Sequence, residues 1–191
     1  MILSDRDIKN ALKKGRIKIT PKPNFQIQLG PCSIDLHLGN KFCVFKHSNY
    51  PYIDLKKPVE TNKIMKEIAV SKGEPFIMQP GDFALATTVE NLQLADDILG
   101  RIEGRSSLGR LGIIVHGTAS VFDPGWNGKP TMELGNLGVM PVALYPGMRV
   151  CAFTFEELSS PAEKPYHKRK TGNIYLRQKN AKPRINKRTI F

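Results

Sequence analysis

The sequence predicts a mainly β fold, a sandwich or barrel, opened by one helix and closed by a basic tail. Three observations predict it. Short apolar runs recur between residues 34 and 155, and Gly or Pro turns separate most of them. The first fifteen residues instead carry apolar side chains at helical spacing, Ile8, Ala11 and Leu12. After Glu163 no acid follows, whereas ten Lys or Arg residues do, from Lys164 to Arg188.

The chain has 191 residues, 40% hydrophobic and 24% charged, enough for a packed core and consistent with one domain over 1–191. That domain divides into a helix (1–16), a β core (17–160) and a tail (161–191). At the N-terminus Ser4 is placed to cap the helix. Asp5 and Asp7 fill its first turn, and Gly15 stands where a C-terminal cap belongs. Strand-like runs follow at Ile34–Leu38, Phe42–Phe45, Glu74–Met78, Phe83–Val89, Ile98–Ile102, Leu111–Val115, Pro130–Leu134, Val139–Leu144 and Met148–Phe155. Gln79-Pro80-Gly81-Asp82, Asp123-Pro124-Gly125 and Tyr145-Pro146-Gly147 read as turns. Residues 46–73 read as a long polar excursion with one helical turn near Lys63–Ile68.

Several functions are excluded or made remote. No apolar run approaches the ~20 residues of a membrane span, and Asp5, Arg6 and Asp7 stand where a signal peptide needs apolar residues. A cytoplasmic protein is the expectation. Cys32, Cys43 and Cys151 are odd in number and widely spaced, which predicts reduced, buried thiols rather than disulfides or a zinc ribbon. The H-x-E and P-C-x-x-C pattern of zinc nucleobase deaminases is missing, as are a Walker loop and a G-x-G-x-x-G turn. The net charge of +12 implies an anionic partner. A nucleic-acid-binding module remains an alternative, but the tail interleaves few aromatics, so no nucleic acid is expected.

Two segments concentrate polar chemistry. Gly104-Arg105-Ser106-Ser107-Leu108-Gly109-Arg110 packs arginines, hydroxyls and glycines as a phosphate cradle requires; the alternative is a plain polar turn. In Ala119–Gly128, Trp126 flanks a tight turn, either as a core aromatic or against a sugar or base. Glu133 is the one charged residue of its strand, either solvent-facing or functional.

Taken in order, the 104–110 segment, His116-x-Thr118-Ala119, Asp123-Pro124-Gly125-Trp126 and Met132-Glu133 resemble the dCTP deaminase family, relatives of the trimeric dUTPases. Leu3–Ile8, Ser33-Ile34-Asp35-Leu36-x-Leu38-Gly39 and Leu158–Tyr166 extend the resemblance toward both ends. It implies a distorted β-barrel or jelly-roll of the dUTPase-like type, with the tail as a C-terminal flap. It implies hydrolysis of dCTP to dUTP and ammonia, supplying dUTP for thymidylate synthesis, without a metal on the base. Glu133 would be the general base, Ser106 and the Ala119 carbonyl would orient the water, and Arg110 would balance charge. Arg105, Ser107, Leu108 and Gly109 would hold the triphosphate, with Mg²⁺ bridging its oxygens and no metal ligand from the protein. Asp123 would hold the 3′ hydroxyl, Trp126 would stack near the sugar, and Thr131, Met132 and Glu133 would face the base edge. Tyr166 and Gln178 would reach the nucleotide from the flap. The resemblance also implies a homotrimer with sites between subunits, and inhibition by dTTP.

The tail departs from the pattern. Ile174 precedes Tyr175 where a lysine is usual, and Asn180 stands for a glycine; Lys170 or Lys179 are the candidates to supply the charge. A bifunctional relative, which carries dUTP on to dUMP, is the nearest alternative. Val150-Cys151-Ala152-Phe153 lacks the glutamine of that type and Trp126 replaces its phenylalanine, whereas the small Ser120 points toward it.

Overall fold

The structure is a computed structural model and describes residues 1–46, 51–57 and 60–184. In chain order it runs through α1 (Asp5–Lys13), β1 (Ile17–Thr20), α2 (Phe25–Gln28), β2 (Ser33–Phe45), α3 (Thr61–Ile64) and β3 (Met65–Ala69). There follow β4 (Phe76–Met78), β5 (Phe83–Thr88), β6 (Asn91–Leu94), β7 (Ile98–Gly104), α4 (Ser106–Gly109) and β8 (Ile113–Ile114). The last strands are β9 (Val121–Phe122), β10 (Asn127–Gly128), β11 (Thr131–Asn136), β12 (Val142–Leu144) and β13 (Arg149–Glu157).

An eight-stranded antiparallel sheet in the order β8-β11-β5-β2-β13-β7-β9, with β3 also on β2, curls into a distorted half-barrel. The long β2 is its spine. Its first half pairs with β13 and its second half with β3 and β5. Two smaller sheets, β1-β6-β10 and β12-β4, close the sides. This is the mainly β barrel that the sequence predicted.

Alternation explains the core. Along β2, Ile34, Leu36 and Leu38 are fully buried while the residues between them are half-buried. Phe42, Phe153 and Phe155 are also fully buried, and Phe122 meets Trp126 edge-on at 4.8 Å and Phe153 at 5.0 Å. Each such side chain contributes about 1.5–3 kcal/mol on burial. α1 is capped as predicted: the Asp7 N–H donates to Ser4 Oγ, Gly15 takes a positive φ of 72°, and Ile8 and Ala11 face the body. Arg16 then ties the helix end to Asp97 at 2.5 Å and Glu157 at 2.7 Å.

Three expectations change. The runs at 34–38 and 42–45 are one strand. The helical turn near 63–68 is a shorter α3 followed by a strand, because Met65–Ala69 finds a partner edge on β2 that overrides its helix-favouring composition. Of the 46–73 excursion, residues 47–50 and 58–59 lie outside the described residues. Cys43 and Cys151 are buried, but Cys32 is exposed. Among the described residues no helix is long and apolar enough to cross a membrane.

Candidate active site

Glu133 stands at the centre of β11, where alternation sends Thr131 and Glu133 to one face and Met132 and Leu134 into the core. Its carboxylate does not point into open solvent. Oε2 accepts from the Gly117 N–H at 2.7 Å and, more weakly, from the Thr118 N–H at 3.3 Å. These bonds fix the side chain against the loop after β8, whose register is set by the Glu133 N–H donating to the Val115 carbonyl. Oε1 has no hydrogen-bond partner among the described residues, which leaves it able to accept a proton.

Glu133 lines a cavity of about 540 Å³. Ala119, Asp123, Trp126, Thr131, Tyr166 and Gln178 share the wall with it. Residues as distant in sequence as Ala119 and Gln178 are thus brought beside Glu133, all of them predicted site residues. The Asp123-Pro124-Gly125 turn closes with the Trp126 N–H donating to the Asp123 carbonyl at 3.1 Å, and Gly125 takes a φ of 77°. A side chain on Gly125 would meet His167 Nδ1 at 2.5 Å, so the turn also needs glycine for the close approach of the C-terminal segment. Trp126 is a core aromatic, its ring almost fully buried against Phe122, and it also lines the cavity.

The C-terminal segment folds over this cavity. One 3₁₀ turn at Tyr166–Lys168 is anchored by the Tyr166 N–H on the Pro124 carbonyl at 2.8 Å. Farther on, the Lys129 N–H donates to the Gln178 carbonyl at 3.0 Å. Gln178 Nε2 donates in turn to the Lys129 carbonyl at 2.8 Å and to Thr131 Oγ1 at 2.9 Å. Tyr166 Oη accepts from the Tyr175 N–H at 3.2 Å. Burial pushes the Tyr166 hydroxyl above its ordinary pKa, and that N–H offsets some of the rise. Arg169 lies over the Tyr166 ring and pairs with Asp123 at 3.0 Å.

The cradle lies elsewhere on the protomer. Residues 106–109 form the single helical turn α4, flanked by Arg105 and Arg110, and none of 105–110 lines the Glu133 cavity. Ser107 and Gly109 are exposed, and Leu108 is buried and anchors the turn in the core. Arg110 Nε donates to Ser106 Oγ at 3.3 Å, so the two groups expected to work together are one turn apart and in contact. The Arg105 guanidinium pairs with Asp35, which also holds Arg149 at 3.2 Å. Burial, and then Arg149, draw the Arg105 guanidinium below its ordinary pKa.

The Met132 side chain is fully buried on the opposite face from Glu133 and does not line the cavity. The signal was legible, since Met132 and Leu134 alternate with Glu133. Arg169, Tyr175 and Lys182 line the cavity without having been singled out for it, and no spacing in the sequence marks them. Among the described residues no group of three or more His, Cys, Asp or Glu side chains is placed to hold a metal ion.

Comparison with known proteins agrees with this geometry. A family model described as dCTP deaminase-like matches residues 2–158. The chain is 64% identical over 183 residues to the dCTP deaminase of Thermomicrobium roseum, covering 96% of this chain and 92% of that one. It is 51% identical over 179 residues to the dCTP deaminase, dUMP-forming, of Dictyoglomus thermophilum, covering 94% and 91%. The crystal structure of the 2′-deoxycytidine 5′-triphosphate deaminase from Agrobacterium tumefaciens superposes with a TM-score of 0.62 at 23% identity, over 81% of this chain and 46% of that one, and shows the same fold. With the family model matching residues 2–158 and a relative 64% identical over 96% of this chain, the chain belongs to the dCTP deaminase-like family.

Proposed function

We propose that the protein deaminates dCTP hydrolytically and releases dUTP and ammonia. The observation that carries the proposal is the Glu133 carboxylate, oriented by two backbone N–H groups with one oxygen free, on a cavity within the ~300–1,000 Å³ range of small-molecule sites. In this reading Glu133 takes a proton from water as the water oxygen bonds carbon 4 of cytosine. It returns a proton to the exocyclic nitrogen, whose bond to carbon 4 then breaks as ammonia leaves. Ser106 and the Ala119 carbonyl orient the water, and Arg110 stabilises charge on the adduct. Asp123 accepts from the sugar 3′ hydroxyl once Arg169 has moved aside, and the flap closes through Tyr166 and Gln178. Mg²⁺ arrives with the triphosphate, bound to the substrate.

The site is completed by a second copy of the chain in a trimer. Two features support this. Ser106 and Arg110 do not line the cavity of their own protomer. Beside them, Leu111 and the β11–β12 loop expose a contiguous apolar surface in which Leu137 is 74% and Val139 89% accessible. The two loops are bonded through the Leu137 N–H on the Gly112 carbonyl at 2.8 Å, and a side chain on Gly112 would strike Gly138 N at 2.4 Å. A rigid apolar rim next to the cradle suits a subunit contact that presents α4 to a neighbour's Glu133.

A second product is favoured by one observation: relatives at about half identity are named dUMP-forming, including that of Methanosphaera stadtmanae at 51%. The 64% identical relative carries no such qualifier, and the Val150–Phe153 run lacks the glutamine of the bifunctional type. The deciding experiment incubates the protein with dCTP and Mg²⁺ and follows ammonia together with nucleotides by chromatography. Equal ammonia and dUTP is the expected result. dUMP with pyrophosphate would establish the second reading, and no ammonia would overturn both.

A further inference from the structure

A second concave site lies on the other side of the C-terminal segment. It encloses about 840 Å³, and among the described residues its wall carries five lysines, Lys41, Lys72, Lys129, Lys179 and Lys182, with Glu67 the one carboxylate. Glu67 is matched to Lys41 at 3.1 Å. Lys182 donates to Asn62 Oδ1 at 3.2 Å, while Lys72, Lys129 and Lys179 form no ion pair or side-chain hydrogen bond among the described residues. Lys72, Lys129 and Lys179 thus line one hollow whose one carboxylate among the described residues is already paired with Lys41.

The backbone makes the hollow. β2 shifts register against β5 between Leu38 and Phe42, and Gly39 and Asn40 at that irregularity line the wall. Such irregularities open a gap between neighbouring strands and re-aim side chains, and they recur next to binding sites. The lysines come from separate elements: the strand β2, the turn after β3, the turn before β11, and the C-terminal segment. Gathering like charge from four places into one concavity is unfavourable for the empty protein, and a low-dielectric wall concentrates the resulting field. A multivalent anion bound in the hollow would relieve it.

We propose that this cavity is a binding site for a small phosphorylated anion of the oligophosphate type, separate from the Glu133 cavity. A half-open hollow of this volume suits a compact ligand, whereas a polynucleotide backbone needs an extended groove. Lys182 lines both cavities, so the two sites share one wall formed by the C-terminal segment. Anion binding here needs no step of the deamination chemistry and stands or falls independently of it.

Site-resolved lysine acetylation of the full chain tests it, with inorganic tripolyphosphate as the probe in Mg²⁺-free buffer and peptide mass spectrometry as the readout. Acetylation of Lys72, Lys129 and Lys179 slows at least about fivefold, the protection reached near four times Kd, while Lys13 and Lys14 on α1 are unaffected. The double variant Lys72→Glu, Lys129→Glu loses the protection at Lys179 and keeps its rate of ammonia release from dCTP. Unchanged rates at the three lysines, equal slowing on α1, or protection surviving in the double variant would overturn the proposal. So would loss of ammonia release in a folded double variant, which would assign these lysines to the Glu133 site. A single-stranded oligonucleotide that protects the same lysines at lower concentration than tripolyphosphate would overturn the small-anion assignment.

Discussion

Replacing Glu133 by Gln and by Ala separates proton transfer from loop positioning. Gln keeps an oxygen that can accept from the Gly117 and Thr118 N–H groups, but it offers no base where Oε1 now stands. The bond at 2.7 Å is strong and that at 3.3 Å marginal. Bonds to a charged group contribute about 1.5–3 kcal/mol and neutral ones about 0.5–1.5 kcal/mol, so the amide weakens the anchor by about 1–2 kcal/mol. In a chain of this size each kcal/mol moves Tm by about 2–4 °C, so Glu133→Gln lowers Tm by only a few degrees. The loss in rate is larger: at least about 10²-fold in kcat, or about 2.7 kcal/mol, for a missing general base. Ala removes both the base and the anchor and falls to a similar rate. Single-turnover ammonia release, read beside thermal unfolding, distinguishes the two roles. If Gln retained activity within about threefold of the parent while Ala lost it, Glu133 would be holding the loop and the proton-transfer role would be refuted.

Arg169→Ala frees Asp123 from a half-exposed ion pair of up to about 1 kcal/mol, so KM for dCTP falls by as much as about fivefold with kcat unchanged; a raised KM in steady-state assays would show instead that Arg169 grips the nucleotide. Burial raises the Tyr166 pKa in the folded chain above the ordinary value of about 10. The folded state therefore holds that proton more tightly than the unfolded state, and the stabilisation is complete below about pH 10 and is lost as pH climbs through the higher folded value. Tyr166→Phe flattens this alkaline decline in thermal melts between about pH 9 and 12; an unaltered slope would place the titrating group elsewhere. Of the three thiols, Cys32 reacts with an aromatic disulfide reagent in the native state, whereas Cys43 and Cys151, buried and with pKa raised by that burial, react only on unfolding; mass spectrometry of the labelled peptides reads the order.

Local signals were readable wherever chemistry and geometry coincide over a few residues. Ser4, Ile8, Ala11 and Gly15 specify α1, and Asp123-Pro124-Gly125 specifies its turn, because caps, periodicity and positive φ are properties of neighbours in sequence. Glu133 could be singled out because a carboxylate interrupts an apolar run. Long-range partners left no such mark. Nothing near Arg105 in sequence announces its pairing with Asp35, seventy residues earlier, and Arg169 reads as one more tail cation until it meets Asp123. Met65–Ala69 has the composition of a helix and becomes a strand only because β2 offers it an edge. That α4 does not line the Glu133 cavity is likewise invisible in the local sequence.

The division of β2 between two halves of the sheet bears on how the chain acquires its structure during synthesis. Ser33 pairs with Thr154 and Ile34 with Phe153, so this strand is translated early yet its first half gains its neighbour only after more than a hundred further residues. Loop closure of that length is slow, and a nascent chain lacking β13 leaves a long apolar edge unpaired. A truncation ending before β13 keeps the partners of the second half of β2 but leaves its first half without one, an exposed edge that favours aggregation.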